Sequence, residues 1–560
     1  MSGAAMRRPE WLIAVLVSCL VVGGVWFVAT IGGAVGIARS DDWSYLLTQF
    51  ALADTGQFVM NNWAVTMLIG QTLVATPVVA VFGPSIAALQ GLVAVMSAGA
   101  LVVTYGLVRK VLPIGWAAFA VITLAVSPIF GPSVVSFMTD VPALLFLSLS
   151  LWLGIIALRA DAPDWRLLAL SGLIGVVAFT FRDYAIIGFV AVVLVGWITA
   201  RSWQVRLGLG AGLVVVVLVA GGLYLWRHSL PNDLRLDGWD LGFAIQLVAR
   251  GMLTIALLAV PGTAALMWWR LTRAIIWRTL IAYFGALVLA VGVLMIAGFE
   301  LLGNVIHPFG STWLISGPGI RIWPLWANRL LLILATVSLA ALLVLLWSIV
   351  TKPRSVSLWA GFREWVRADR ARAAIVLFPF VLLGAHAAAT IALGTWFIDR
   401  YFILVLPFLA AAVLILGRDL GVIARGKLSA IPVVVLVAYG LWGLYVVDFD
   451  SRFDGARWQM GELLVDRGYA PEEIDAGMQW VSFHALDVGL GAQAVPTRPG
   501  RQWWTERYPD QRVCVTVTAT DSVKPVAGNA VEELPVETLF GRQYTLVAVP
   551  GPDLCETPRG

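Results

Sequence analysis

Charged side chains make up only 13% of this 560-residue sequence, which also holds just three cysteines and four histidines. Three cysteines are too few for a metal-binding framework. The basic residues form no stripe but lie scattered among short loops, which excludes a nucleic-acid interface. No internal repeat is visible of the kind that marks a transporter built from related halves. What the sequence does have is apolar side chains, 60% of the total, with a mean hydropathy of +0.88. That excludes an ordinary soluble protein and defines a polytopic α-helical membrane protein.

Charge is also unevenly placed. From Asp448 to the end there are 17 acidic and 10 basic residues, so a net +5 overall leaves the first 447 residues at about +12. Basic short loops and an acidic tail divide the chain into a membrane domain, 1–447, and a small extracytoplasmic α/β domain, 448–560. Cys19 lies in the first apolar run and reads as a small core residue. Cys514 and Cys555 fall in the tail, where an oxidising compartment would allow either a disulfide or two free thiols.

Arg7 and Arg8 precede the first apolar run, 11–30, and place the amino terminus in the cytoplasm. A helix near Leu46 and Phe50 suits the interface. The stretch 63–82 contains Gly70, Gln71 and Pro77, and charge parity makes it an interfacial or re-entrant helix. The span 85–108 then ends on Arg109 and Lys110, in the cytoplasm. Further spans are expected at 113–126, 141–158, 167–180, 185–199, 207–226 and 243–269, the last with a kink at Pro261. They continue at 280–299, 325–350, 373–397, 402–416 and 428–447, about 13 in all. In the tail, 456–467 and a segment opened by Pro471 read as helices, and 512–518 and 542–549 as strands.

This topology gathers Asp41, Asp42, Asp140, Arg182, Asp183, Arg227, Arg235, His307, Arg321, Arg329 and Arg400 on the outer face. Carboxylates at the end of a span are costly, so the adjacent pair Asp41–Asp42 is a candidate functional site. The plain alternative is two solvated loop carboxylates. Outward arginines run against the usual charge bias, and a membrane-embedded anion would explain them. Their plain alternative is local pairing, Arg182 with Asp183 and Arg400 with Asp399. A carboxylate can activate a hydroxyl while arginines neutralise a departing phosphate, which is the chemistry of glycosyl transfer from a lipid phosphate. The acidic pair could equally hold a divalent metal such as Mg or Mn, although no ligand spacing settles this. His386, inside an apolar span, reads as a core histidine, and His228 and His484 as surface residues. The tryptophans read as interface anchors.

Asp41-Asp42-x-x-Tyr45, Thr139-Asp140-Val-Pro142, Arg182 and Asp399-Arg400-Tyr401-Phe402 occur in the order seen in GT-C glycosyltransferases. The chain resembles most closely the bacterial aminoarabinose and protein-mannosyl transferases that use polyprenyl-phosphate donors. The resemblance implies a GT-C fold, Asp41 as catalytic carboxylate with Asp42 beside it, and Asp140 as a second carboxylate near the acceptor. It implies Arg182 and Arg400 at the donor phosphate, with Arg321 a further candidate. Tyr45, Asp183, Tyr184, His307 and Tyr401 are the candidate substrate contacts. Relatives often carry Asp-Glu or Glu-Asp where this chain has Asp-Asp, so the proton acceptor could be either residue of the pair. Some relatives need a metal and others do not.

The expected activity is inverting transfer from a polyprenyl-phosphate sugar to an extracytoplasmic hydroxyl on a glycan, lipid or protein. The expected place is the bacterial plasma membrane. The rival is a transporter or flippase of a lipid-linked or polyanionic solute, whose charges should lie near mid-membrane on broken helices.

Overall fold

The computed structural model describes residues 8–61, 63–64, 66–159, 162–230, 240–271, 301–306, 320–350, 357–395, 398–421, 430–485, 504–505, 508, 511–521, 530–553 and 555. The amino-terminal half is a run of ten helices: α1 (Arg8–Ile31), α2 (Asp42–Thr55), α3 (Ile69–Phe82), α4 (Ile86–Val108), α5 (Ile114–Ala125), α6 (Phe130–Val134), α7 (Asp140–Ala157), α8 (Trp165–Phe181), α9 (Ile187–Thr199) and α10 (Trp203–Ser229). There follow α11 (Leu241–Leu258), α12 (Val260–Leu271), α13 (Leu325–Val350), α14 (Leu358–Ala368), α15 (Arg370–Leu393), α16 (Leu406–Asp419) and α17 (Ala430–Asp466). Local chemistry sets several boundaries. Ser85, Asp164, Ser202, Asp240, Ser357 and Asp369 each accept a backbone N–H at a helix start, and Gly56 and Gly394 end α2 and α15 in the left-handed region.

Among the described residues, eight helices are long and apolar enough to cross a membrane: α1, α4, α7, α10, α11, α13, α15 and α17. The expected spans at 113–126, 167–180, 185–199 and 402–416 are the shorter helices α5, α8, α9 and α16. The one expected at 280–299 lies outside the described residues. The span expected over 243–269 is instead two helices, α11 and α12, which divide at Ala259 just ahead of Pro261.

Polar contacts sort the helix ends into two sets. At one end Arg109, after α4, donates to Glu10 of α1 at 2.7 Å, and Arg370 of α15 to the carbonyl of Leu158, after α7, at 2.5 Å. Arg372 of α15 pairs there with Asp419, the last residue of α16. The opposite end collects the end of α1, the starts of α7 and α16 and the end of α8. The contacts thus bring the start of α1, the ends of α4, α7 and α16 and the start of α15 to one end of the bundle.

The last span does not stop where the composition changes. Helix α17 runs unbroken for 37 residues through Asp448, so 456–467 continues the span and is no separate helix. Gly455 lies against the backbone of Gly32 and Gly33, just beyond α1, where a side chain would collide with the carbonyl of Gly32. Beyond α17 come a single turn at Pro471–Glu473, strand β1 (Ile474–Asp475), helix α18 (Met478–Phe483) and strands β2 (Val515–Thr520), β3 (Glu532–Glu537) and β4 (Gln543–Pro550). They form one sheet of order β1-β2-β4-β3, parallel only between β1 and β2, with Val515 opposite Pro550 and Leu534 opposite Leu546. The expected strands correspond to β2 and β4, β1 and β3 were not expected, and the helix expected to open at Pro471 is only that single turn before β1. Tyr544 of β4 packs on Phe449 and Phe453 of α17 with ring centroids 5.7 and 6.1 Å apart, which seats the sheet on the extended helix. Cys514 and Cys555 are disulfide-bonded.

Candidate active site

Four charged side chains meet where the loop after α1 faces the starts of α7 and α16 and the end of α8. Asp140 is the first residue of α7 and fully buried, placed where a helix amino terminus favours negative charge. Its carboxylate accepts from Arg182 at 2.7 Å and from the Tyr184 hydroxyl at 3.3 Å, and lies 4.0 Å from Nε of Arg400. Arg182 caps the end of α8, and Arg400 stands in the short turn Asp399–Leu404 that leads into α16. Arg400 donates to Asp41 at 2.5 Å and to the Ser40 hydroxyl at 3.1 Å. Trp63 donates its indole N–H to the other oxygen of Asp41 at 3.0 Å. Ser40 itself holds a φ of 49°, rare for a residue with a side chain, at the point where the loop turns Asp41 towards Arg400.

The pairing expected between sequence neighbours is not the one that forms. Arg182 bonds Asp140 and Arg400 bonds Asp41, residues far away in the chain. Asp183 is exposed and accepts the N–H of Tyr184, while Asp399 accepts the N–H groups of Val305 and Ile306. Tyr184 and Tyr401 pack at 5.3 Å, and the guanidinium of Arg182 lies 5.0 Å from the Tyr401 ring centre. Tyr45, in the first turn of α2, is buried within electrostatic reach of Asp41, Asp140, Arg182 and Arg400. Half-buried His386 lays its ring 4.7 Å from that of Tyr184, so this histidine borders the site. Arg321 is exposed beside Ile322, whose carbonyl takes bonds from Tyr445 and Arg542 at the junction with the sheet. His307 lies outside the described residues.

The adjacent aspartates have different environments. The Asp41 side chain is 26% exposed. Burial alone would raise its pKa, but the charge of Arg400 and the Trp63 N–H outweigh it and hold this carboxyl below its ordinary value. Asp42 is fully buried, and its two oxygens take the backbone N–H groups of Arg39 at 2.5 Å and Phe137 at 2.9 Å. Burial pushes Asp42 up to about 7 despite those bonds. The two carboxylates therefore do not converge on one point, and among the described residues no group of three or more acidic, histidine or cysteine side chains could hold a metal ion. The residues present do not fit the joint Asp41–Asp42 metal site that the sequence allowed.

Trp63, Ser40 and Arg39 escape sequence reasoning, because nothing in a tryptophan, a serine or one arginine near a span marks its long-range partner. Arg227, at the end of α10, holds the loop carrying Trp63 through the carbonyls of Ala64 and Thr66. Its outward position among apolar residues was the available signal. Nε of both Arg182 and Arg400 is buried without a hydrogen-bond partner among the described residues. Buried cationic N–H groups left open are costly, and an anion is the ligand that would satisfy them.

Fold and site together define a multi-pass helical membrane protein with a small carboxy-terminal sheet domain and a buried aspartate–arginine centre at one end of its bundle. The profile of the family described as "Dolichyl-phosphate-mannose-protein mannosyltransferase" matches residues 69–226, a segment that includes Asp140 and Arg182. No curated protein matches the sequence. Among solved structures, ArnT from Cupriavidus metallidurans bound to undecaprenyl phosphate is similar at 12% identity and a TM-score of 0.39, covering 97% of this chain and 98% of that one. The archaeal oligosaccharyltransferase AglB from Archaeoglobus fulgidus, in complex with an inhibitory peptide and a dolichol-phosphate, is similar at 13% identity and a TM-score of 0.41, covering 91% and 69%. A structure of the Archaeoglobus fulgidus oligosaccharyltransferase with Zn and sulfate gives 14% identity and a TM-score of 0.42, covering 90% and 67%. These superpositions are loose, so the chemistry has to be read from the side chains.

Proposed function

We propose that this protein is an inverting glycosyltransferase that moves a sugar from a polyprenyl phosphate to a hydroxyl on an extracytoplasmic glycan, lipid or protein. The observation that carries the reading is an ionised, partly open carboxylate, Asp41, set against two buried arginines that each keep an open N–H. The acceptor oxygen attacks the anomeric carbon, the bond from that carbon to the phosphate oxygen breaks, and its electron pair leaves with the phosphate. Asp41 takes the acceptor's proton. A single displacement of this kind inverts the anomeric centre.

Charge balance supports this division of roles. Asp41 and Asp140 offset Arg182 and Arg400, so the four side chains together are neutral. The donor is a phosphodiester of one negative charge, and its departure as a monoester adds a second. Protonation of Asp41 makes the centre more positive by one at that step, and the freed guanidinium of Arg400 can turn to the phosphate. Asp140 holds Arg182 throughout, and Tyr184 and Tyr401 wall the guanidinium from water. Asp42 acts on the loop and touches no reacting atom. If a divalent cation takes part, Asp41 is the member of the pair open enough to meet it.

The reading includes a location: the charged centre and the tail face the outside of a bacterial plasma membrane, the tail forming an extracytoplasmic domain from Asp448 onward. The disulfide in the tail and the basic residues at the other end of the bundle favour this orientation. The transporter reading is disfavoured because the buried ion pairs sit at one end of the helices. Membranes incubated with radiolabelled prenyl-phosphate sugars decide between them. Transfer predicts label in a hydroxyl-linked product of inverted configuration, together with free prenyl phosphate. Label that crosses the bilayer still attached to its lipid contradicts it.

A further inference from the structure

Arg39 lies two residues before Asp41 and takes no part in the reaction as described. Its side chain is buried and donates Nε to Asp454 at 2.9 Å and a terminal nitrogen to Asp450 at 2.8 Å. Both aspartates belong to α17, one turn apart on the same face, in the part of that helix that has left the apolar span. The backbone N–H of Arg39 is the donor to Asp42, whose second oxygen takes the N–H of Phe137. Asp42 in turn returns its own N–H to the carbonyl of Arg39. Arg39 thus fixes both ends of the turn in which Ser40 holds its unusual φ and from which Asp41 reaches Arg400. One small cavity touches Arg39, Ser40, Arg400, Asp450 and Asp454 together, so the helix and the active centre adjoin.

The same helix face continues into the tail. Arg457, buried one turn beyond Asp454, interacts electrostatically with Asp454 and with Asp475 of β1. Asp475 is held by the N–H of Gly477 at 3.0 Å and the indole of Trp504 at 2.9 Å. Charges of alternating origin therefore run from the sheet domain to the loop of Asp41 along one side of α17.

We infer that Asp450 and Asp454 are positioning residues, through which the tail helix holds the first loop in the conformation that presents Asp41 to its substrate. The role assigned to Asp41 is that of the proposed transfer reaction, and the inference rests on that reading for its effect on rate alone. A helix shared between membrane bundle and sheet domain then makes the tail a part of the active site's support.

Arg39→Ala would take the guanidinium away from two buried carboxylates and could fail to fold, so the informative variants are Asp450→Asn and Asp454→Asn, each of which leaves Arg39 one aspartate partner. Hydrogen–deuterium exchange in the full-length protein should show amides in 37–46 exchanging at least roughly tenfold faster in either variant, with α4 unchanged. Transfer from a radiolabelled prenyl-phosphate sugar should lose kcat by about a hundredfold, because a misplacement near 1 Å costs that much, while KM for the donor stays within a factor of about two. Unchanged exchange in 37–46 overturns the inference. So does faster exchange spread evenly over the bundle, which is what a merely stabilising ion cluster would give. If wild-type protein transfers no sugar, the proposed function fails, and the exchange experiment still decides whether α17 holds the loop.

Discussion

The two ends of the helical bundle carry ion pairs of opposite character. At the end expected in the cytoplasm, Glu10 with Arg109 and Arg372 with Asp419 remain 15–30% exposed. At the other end, Arg182 with Asp140 and Arg39 with Asp450 and Asp454 are at most 8% exposed, and within that centre only Asp41 reaches 26%. Solvated pairs add little to stability, whereas buried ones pay a large desolvation cost for whatever else they do. The contrast separates an end whose pairs stay in water from one that holds its charges buried, and the proposed reaction gives the second a charged ligand to meet. It also singles out Asp41 as the carboxylate kept within reach.

The contrast can be broken most severely at Asp140. Replacing it by alanine strands Arg182 in a dry site and should cost about 3–5 kcal/mol. Unfolding in mild detergent should register the loss. A cost below about 1 kcal/mol would mean that water reaches this end as it does the other.

A smaller effect concerns pH. The folded pKa of Asp42, about 7, lies above its ordinary unfolded value, so the folded protein binds the extra proton. That contribution is complete below the unfolded value near 4 and is lost as pH rises to about 7. Asp399, raised to about 6 by burial, acts with the same sign over the lower part of the window. Asp41, held low by Arg400, titrates beneath it. Stability measured from pH 5 to pH 8 should therefore fall by an Asp42 share on the order of 2 kcal/mol, and Asp42→Asn should flatten the curve by that amount. A curve equally steep in the variant would remove Asp42 from the explanation.

The smallest effect belongs to the solvated end. Arg372→Ala removes the bond to Asp419 and should change the unfolding free energy by no more than about 1 kcal/mol. A larger loss would erase the distinction between the two ends.

Much of this could be read from the residues. Eleven of the thirteen expected spans each correspond to one helix and the one at 243–269 to two, because apolar runs are local signals. Asp41, Asp140, Arg182 and Arg400 stood out because charge beside an apolar run is costly wherever it occurs. The identity of each partner was not legible, since Asp41 and Arg400 are 359 residues apart and a nearer aspartate, Asp399, was available. The unbroken helix across Asp448 was also hidden. Composition changes there from apolar to acidic, but no proline occurs between there and Gly468, and Gly455 and Gly461 stay helical, so the helix ends only near Gly468, whose φ is 95°. The difference between Asp41 and Asp42 depends on which backbone amides face each carboxylate, and adjacent identical residues give no sign of that.

The most direct measurement compares sugar transfer by the wild-type protein, Asp41→Asn and Asp419→Asn in parallel, with each protein shown to be folded and inserted. Loss of the proton acceptor should lower the rate of Asp41→Asn by about 10²–10⁴-fold. Asp419→Asn, changed at the solvated end, should keep its rate within a factor of about two. Undiminished transfer by Asp41→Asn, or equal losses in the two variants, would contradict a reaction centred on the buried aspartate–arginine group.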